Sequence, residues 1–207
     1  MTNAVVVTAP LYALNDAAEV AEHYRIVARG VRVPVVAYDV PVRVHAKLGA
    51  DLLLDLGREG AIIGVKDSSG DDVAFRRLVR ANRAAGSPLQ VSTGHEVMVD
   101  GMALLGADGA VPGLANVDPA GYARLWAAAD LGDWDVVLTE QERLCRLFEI
   151  AFVAQGRSGD AGGIGAFKVA CWRLGVLDSP TMPAPLTGLT DADVAAIDEI
   201  LAEVGLR

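Results

Sequence analysis

Cysteine is scarce. Cys145 and Cys171 are the only two in 207 residues, each isolated within a helical pattern. That excludes a disulfide framework and fits buried thiols in a reducing compartment. No stretch reaches the roughly 18 consecutive apolar residues that a membrane-spanning helix needs. The opening Met1-Thr2-Asn3-Ala4 has no basic segment of the kind that starts a secretory leader. Basic residues are outnumbered, 18 against 27, for a formal charge of -9. This balance argues against nucleic acid and anionic membranes as partners. Only three histidines occur. His23 reads as part of a helix face and His95 as a helix-start residue. Neither has a cysteine or acidic partner at metal-ligand spacing, so no metal is expected. Gly156, Gly159, Gly162, Gly163 and Gly165 follow no phosphate-loop pattern, and no cofactor is called for. What remains is a soluble cytoplasmic protein whose 52% hydrophobic content supplies ample core.

Lysine is also rare: Lys47, Lys66 and Lys168 are the whole set, arginine carrying the other positive charges. Lys66 ends the apolar run Ala61-Ile62-Ile63-Gly64-Val65, which reads as a buried strand of a parallel sheet. Asp67-Ser68-Ser69-Gly70-Asp71 follows as a turn and helix start. A cation closing a buried strand is costly unless it is paired or loses its proton, and a neutral amine attacks carbonyls. On spacing alone the pattern fits equally a lysine that snorkels out of a strand end.

The rest of the chain places this strand third of five. Strands are expected at Ala4–Thr8, Val33–Tyr38, Ile62–Lys66, Leu89–Thr93 and Gly109–Pro112. Helices follow them at Asp16–Ala28, Ala46–Leu56, Asp71–Ala85, Gly94–Leu105 and Asp118–Ala129, with a loop over Asp39–His45. Such alternation implies a parallel α/β sheet. The rhythm stops at Trp134. Trp134–Ala154, Gly163–Leu174 and Thr190–Val204 read as helices, Gln155–Gly165 as a Gly-rich loop and Ser179–Leu189 as a Pro-rich connection.

In parallel α/β folds chemistry collects where strands run into their following loops. Those ends hold Tyr12; Tyr38 with Asp39 and Arg43; Lys66 with Asp67 and Ser68; Thr93 with His95; and Val111. Tyr38 and Lys66 end successive strands roughly 4.8 Å apart, so phenol and amine can approach each other. A tyrosine there can relay protons at an amine-carbonyl centre. The Arg43 fork suits a carboxylate. Taken singly, Tyr38 also fits an ordinary strand aromatic, Arg43 a solvated loop charge, and Asp67 and Asp71 helix caps.

Tyr38-Asp39-Val40-Pro41-Val42-Arg43 resembles the Y-N-V-P-x-R motif of the dihydrodipicolinate synthase and N-acetylneuraminate lyase family. Gly64-Val65-Lys66-Asp67-Ser68-Ser69-Gly70-Asp71 resembles that family's Schiff-base strand, G-[IV]-K-[DE]-[AS]-[ST]-G-D. Gly106–Val111 with Asn116-Val117 is similar to its last barrel strand, and Pro185-Leu186-Thr187-Gly188-Leu189 to an element before its last helix. The resemblance implies a (β/α)8 barrel of TIM type with a C-terminal helical extension. It divides the chain into a partial barrel over 1–130 and the extension over 131–207. It implies class I aldolase or lyase chemistry without a cofactor, on pyruvate or another 2-keto acid and an aldehyde. Lys66 would form the Schiff base and Tyr38 relay protons, with Val111 near that relay. Arg43 would hold the second substrate's carboxylate, and Tyr12 would reach a neighbouring subunit's site in a homo-oligomer, a dimer or tetramer.

Several positions depart from the family pattern. Asp39 stands for Asn, Val44-His45 for Thr-Gly, and Gly94-His95-Glu96 for a Gly-Asp-Asp-like sequence. They leave a 2-keto-3-deoxy sugar-acid aldolase or dehydratase as an alternative. The three βα units that precede the first strand in the family are not found in these residues. The chain is therefore expected to be a truncated member, five strands being too few to close an eight-stranded barrel. By itself it is expected to be marginally stable, self-associating and nearly inactive. The remaining alternative is a non-catalytic remnant serving as an assembly surface.

Overall fold

The computed structural model describes residues 3–207. Two compact units divide the chain: Met1–His95 with Gly101–Val111, and Glu96–Asp100 with Pro112–Arg207.

The first unit is one sheet of five parallel strands in sequence order. They are β1 (Val5–Thr8), β2 (Val35–Asp39), β3 (Gly64–Asp67), β4 (Gln90–Thr93) and β5 (Gly109–Ala110). The sheet is open, as five units of a larger barrel require, and β1 and β5 are its edges. The helices of this unit are α1 (Ala17–Gly30), α2 (Pro41–Val44), α3 (Ala50–Arg58) and α4 (Asp72–Ala84). Helix α5 (Val99–Leu105) follows β4.

Side chains alternate across the sheet. Val35, Ala37, Val65 and Val91 are buried on the helix side, in one core with Tyr24, Leu53, Leu56, Phe75, Leu78, Leu89 and Met102. Each large side chain so buried contributes about 1.5–3 kcal/mol. The opposite face is open: Val6 is 59% exposed, and Tyr38 and Lys66 are half-buried.

Local chemistry sets the helix starts. Asp16 and Glu19 form a reciprocal capping box on α1, with bonds of 2.9 and 3.0 Å. Asp71 caps α4 through the Ala74 N–H, as expected of it. The helix expected from Ala46 begins four residues later, because Lys47 and Leu48 bond back to Asp39. The Asp39–His45 segment is not plain loop; it holds the single turn α2, ended by His45 in the left-handed region (φ 55°).

The second unit is helical: α6 (Pro119–Leu131), α7 (Trp134–Phe148), α8 (Gly165–Arg173) and α9 (Asp191–Glu203). Short 3₁₀ turns lie at Gly113–Asn116 and Glu149–Phe152. The Gly-rich segment read as loop contains a π-helical turn, Asp160–Ile164. Leu114, Leu125, Val137, Leu144, Leu147, Ile150, Ile197 and Leu201 are fully buried. Pro119 takes the first position of α6, where its missing N–H does no harm, and Asp118 caps the Gly121 N–H. Arg143 of α7 in turn pairs with Asp118. Gln141 of α7 accepts the first amides of α5, Val99 at 2.8 Å and Asp100 at 3.2 Å. That cap explains why α5 starts at Val99 rather than Gly94. Both cysteines are free, and burial pushes both thiols up. Among the described residues no helix is long and apolar enough to cross a membrane.

Candidate active site

The register aligns the strand ends in two rows. Thr8, Tyr38, Lys66, Ser92 and Gly109 are successive Cα partners across the open face. Asp39, Asp67, Thr93 and Ala110 form the next row, with side chains on the helix side.

In the first row the Lys66 ammonium lies over the Tyr38 ring, 4.4 Å from its centroid. The expected approach is present, but the amine meets the ring face rather than the hydroxyl. The ring quadrupole favours a cation there, so Lys66 must release a proton before it can act as a nucleophile. Among the described residues Lys66 makes no hydrogen bond or ion pair, and the Tyr38 hydroxyl makes no hydrogen bond. The other two lysines are engaged. Lys168 donates to the Thr181 carbonyl, and Lys47 is held by two carboxylates.

Those carboxylates are Asp39 and Asp67, exposed by 0% and 4%. Lys47 donates to Asp39 Oδ2 and, at 3.2 Å, to Asp67 Oδ2. Asp39 Oδ1 accepts the Leu48 amide at 3.1 Å, and Asp67 Oδ1 accepts the Ser69 amide at 2.8 Å. Burial pushes the Asp39 carboxyl up, against the bonds from Lys47 and Leu48. Burial works against the Lys47 cation, but the bond to Asp39 and the charges of Asp67 and Asp39 outweigh it and raise its pKa. Sequence reasoning placed Lys47 inside a helix and missed this cluster. The available signal was Asp39 itself: a charge in a motif that carries an amide needs a cation nearby, and Lys47 is eight residues on.

The remaining expected residues stand in the segments that follow β1, β2 and β5. Arg43 is exposed on α2, one turn past β2. Tyr12 is fully exposed after β1, with φ 70° in the left-handed region. Val111 is 50% exposed after β5, and its amide donates to the Thr93 carbonyl at 2.8 Å. Beyond β4, His95 Nε2 lies 2.8 Å from Asp72 Oδ1. Gly94 packs so tightly on Ser68 that a Cβ would sit 1.9 Å from Ser68 Oγ. In the helical unit Glu96 accepts the Gly113 and Leu114 amides at 2.8 and 2.9 Å, and Tyr122 donates to its carbonyl. Among the described residues no group of three or more His, Cys, Asp or Glu could hold a metal ion.

Residues 2–204 match the Dihydrodipicolinate synthetase family. The chain is 27% identical to a 4-hydroxy-tetrahydrodipicolinate synthase of Anaeromyxobacter sp., over 99% of this chain and 66% of that protein. It thus spans just under two thirds of that relative's length. Two solved structures share the fold. Dihydrodipicolinate synthase from Bacteroides thetaiotaomicron superposes with a TM-score of 0.89 at 26% identity, covering 98% of this chain and 67% of its own. The enzyme from Acinetobacter baumannii, solved with pyruvate, gives 0.83 at 25% identity, covering 99% and 67%.

Proposed function

Because the chain belongs to the dihydrodipicolinate synthetase family, we infer that Lys66 forms a Schiff base with the keto carbon of a 2-keto acid of the pyruvate class. One observation carries this reading. Of three lysines, only Lys66 has no hydrogen bond or ion pair among the described residues, and it stands half-buried on the open face beside Tyr38. After losing a proton its amine adds to the keto carbon, and water leaves to give a protonated imine. That imine is an electron sink, so a C3 proton departs and an enamine forms. The enamine attacks an aldehyde carbon, or the reverse step breaks that carbon–carbon bond.

Tyr38 supplies and removes protons through its hydroxyl, which is not engaged by another described residue. Arg43 holds a carboxylate on the aldehyde partner through its planar fork. Tyr12, fully exposed on its loop, reaches a neighbouring copy in a homo-oligomer, and Val111 borders the relay. The pyruvate complex of the Acinetobacter relative supports the choice of keto acid.

The covalent step turns on Lys66, so it is the step to test. Incubation with pyruvate and borohydride should leave a stable added mass on the Lys66 peptide. An unmodified Lys66, or an adduct on Lys47 or Lys168 instead, overturns the assignment.

A further inference from the structure

The Lys47 cluster lies one residue beyond the reactive pair on both strands. Asp39 follows Tyr38, Asp67 follows Lys66, and Asp39 and Asp67 are register partners. Main-chain bonds lace the same level: Ser68 N–H to the Asp39 carbonyl at 2.8 Å, and Gly94 N–H to the Asp67 carbonyl at 2.7 Å. Consecutive strand residues face opposite sides, so the cluster sits behind Lys66, one backbone thickness away. Two buried carboxylates share one ammonium, which leaves a residual negative charge.

We propose that Lys47 is a positioning residue for Lys66: it clamps the ends of β2 and β3 and offsets the buried carboxylate charge behind the reactive amine. This rests on the Schiff-base reading of Lys66 for its catalytic meaning, although the clamp itself can be tested without any keto acid. With two carboxylates on one ammonium the cluster carries one formal negative charge. That charge stabilises a protonated imine on Lys66. A second uncompensated charge would hold the free amine as ammonium and suppress its attack. Titratable groups near the two strand ends among the described residues include Tyr38 on the open face, Tyr24 of α1, bonded to the Val7 carbonyl, His23, 3.0 Å from the Thr8 carbonyl through Nε2, and the His95–Asp72 pair beyond β4. Their printed partners are other groups, whereas Lys47 bonds both aspartates.

Charge arithmetic gives a signature that loss of packing does not mimic. Lys47→Met leaves the cluster at minus two, Asp39→Asn leaves it neutral, and the double variant returns it to minus one. The measurement is labelling of the 207-residue chain by an amine-reactive reagent across pH, read per lysine by peptide mass spectrometry. Lys47 should be protected in the parent. The pH at which Lys66 becomes reactive should rise by about half a unit or more in Lys47→Met and fall in Asp39→Asn. In the double variant it should return close to the parent. An unmoved midpoint in Lys47→Met, or a double variant that behaves like Lys47→Met alone, overturns the proposal. If Lys47→Met does not fold by circular dichroism, Asp39→Asn decides: a fall supports the clamp and no change overturns it. Pyruvate trapping on the same variants separates the two readings. No adduct on the parent sinks the Schiff-base assignment, whereas an adduct whose pH profile ignores the variants sinks only the clamp.

Discussion

The strand-built unit holds eleven basic and eleven acidic residues, whereas the helical unit holds seven basic and sixteen acidic and so carries the entire formal charge of -9. The units also use their buried polar groups differently. In the helical unit each is matched to a structural need. Asp118 caps α6 and takes Arg143, Gln141 caps α5, and the Tyr122 hydroxyl meets the Glu96 carbonyl at 2.9 Å. In the strand-built unit Asn82 likewise serves the Leu89 amide and carbonyl, while Asp39 and Asp67 share Lys47 and accept the Leu48 and Ser69 amides. One residue away, Lys66 and Tyr38 keep a nitrogen and a hydroxyl unbonded among the described residues. No buried side-chain nitrogen or oxygen among the described residues lacks a partner, so these two half-buried groups reach solvent and stay open to a ligand. Reactivity belongs where half-buried groups are held in place yet left unanswered.

Two tyrosines put that contrast to its strongest test. Tyr38→Phe removes a hydroxyl that bonds nothing in the described fold, so stability should hold within about 0.5 kcal/mol. The rate of pyruvate trapping should fall by roughly 10²-fold or more, the scale of a lost proton relay. Tyr122→Phe should do the reverse. It forfeits one buried hydrogen bond, about 1 kcal/mol of unfolding free energy, and leaves trapping unchanged. Urea melts and trapping time courses on both variants read the four outcomes. If Tyr38→Phe traps at the parental rate, or Tyr122→Phe traps slowly, the two units do not divide chemistry and structure as described.

Arg43 sharpens the contrast within the strand-built unit, because it is exposed where Lys66 is half-buried. Its role is confined to the second substrate. Arg43→Ala should leave the trapped pyruvate adduct intact. It should raise by about 10²-fold the concentration of a carboxylate-bearing aldehyde needed to consume the enamine. An aldehyde without a carboxylate should show no difference. Equal consumption with and without Arg43 would remove it from the site.

How much of this was legible in sequence depends on the residue. That Lys66 and Tyr38 share a face near neighbouring strand ends was, because two apolar runs closing on lysine and tyrosine carry the pleat's alternation, although each strand runs one residue further, to Asp67 and Asp39. The exact strand limits were not: β3 spans Gly64–Asp67 rather than Ile62–Lys66, although the Ile63 amide already bonds to the Val35 carbonyl. Lys47 was hidden by a helical pattern that begins at Ala46, since periodicity does not register two residues drawn aside to a buried aspartate. Glu96 looked like a departure from a motif, yet its carboxylate serves two amides of the turn at Gly113. Both failures have one cause. A side chain answering a distant backbone or charge leaves no local trace, whereas a repeat of apolar residues does.

The smallest expected effect probes the acidic unit directly. Hydrogen bonds from Arg173, at 2.9 and 2.6 Å, hold the Asp198 carboxyl below its ordinary value, against burial and with help from Arg207. A carboxyl whose folded pKa is lowered contributes stability that is present above its unfolded pKa and is lost as pH falls through the folded one. Asp39 in the strand-built unit runs the other way. Its carboxyl is raised by burial, so its contribution is present below the unfolded pKa and fades as pH rises through the folded one. Asp198→Asn keeps the shape and removes the charge. At neutral pH it should lower Tm by only about one or two degrees, because the pair is partly exposed and salt-screened. On acidification the parent should lose its advantage, and the two melting curves should converge below the ordinary carboxylate range. Relief of repulsion among the other acidic residues acts on parent and variant alike and so drops out of the difference. A deficit that stays constant from neutral to acid pH would mean that Asp198 contributes shape rather than charge, and the electrostatic contrast between the two units would lose its best-defined pair.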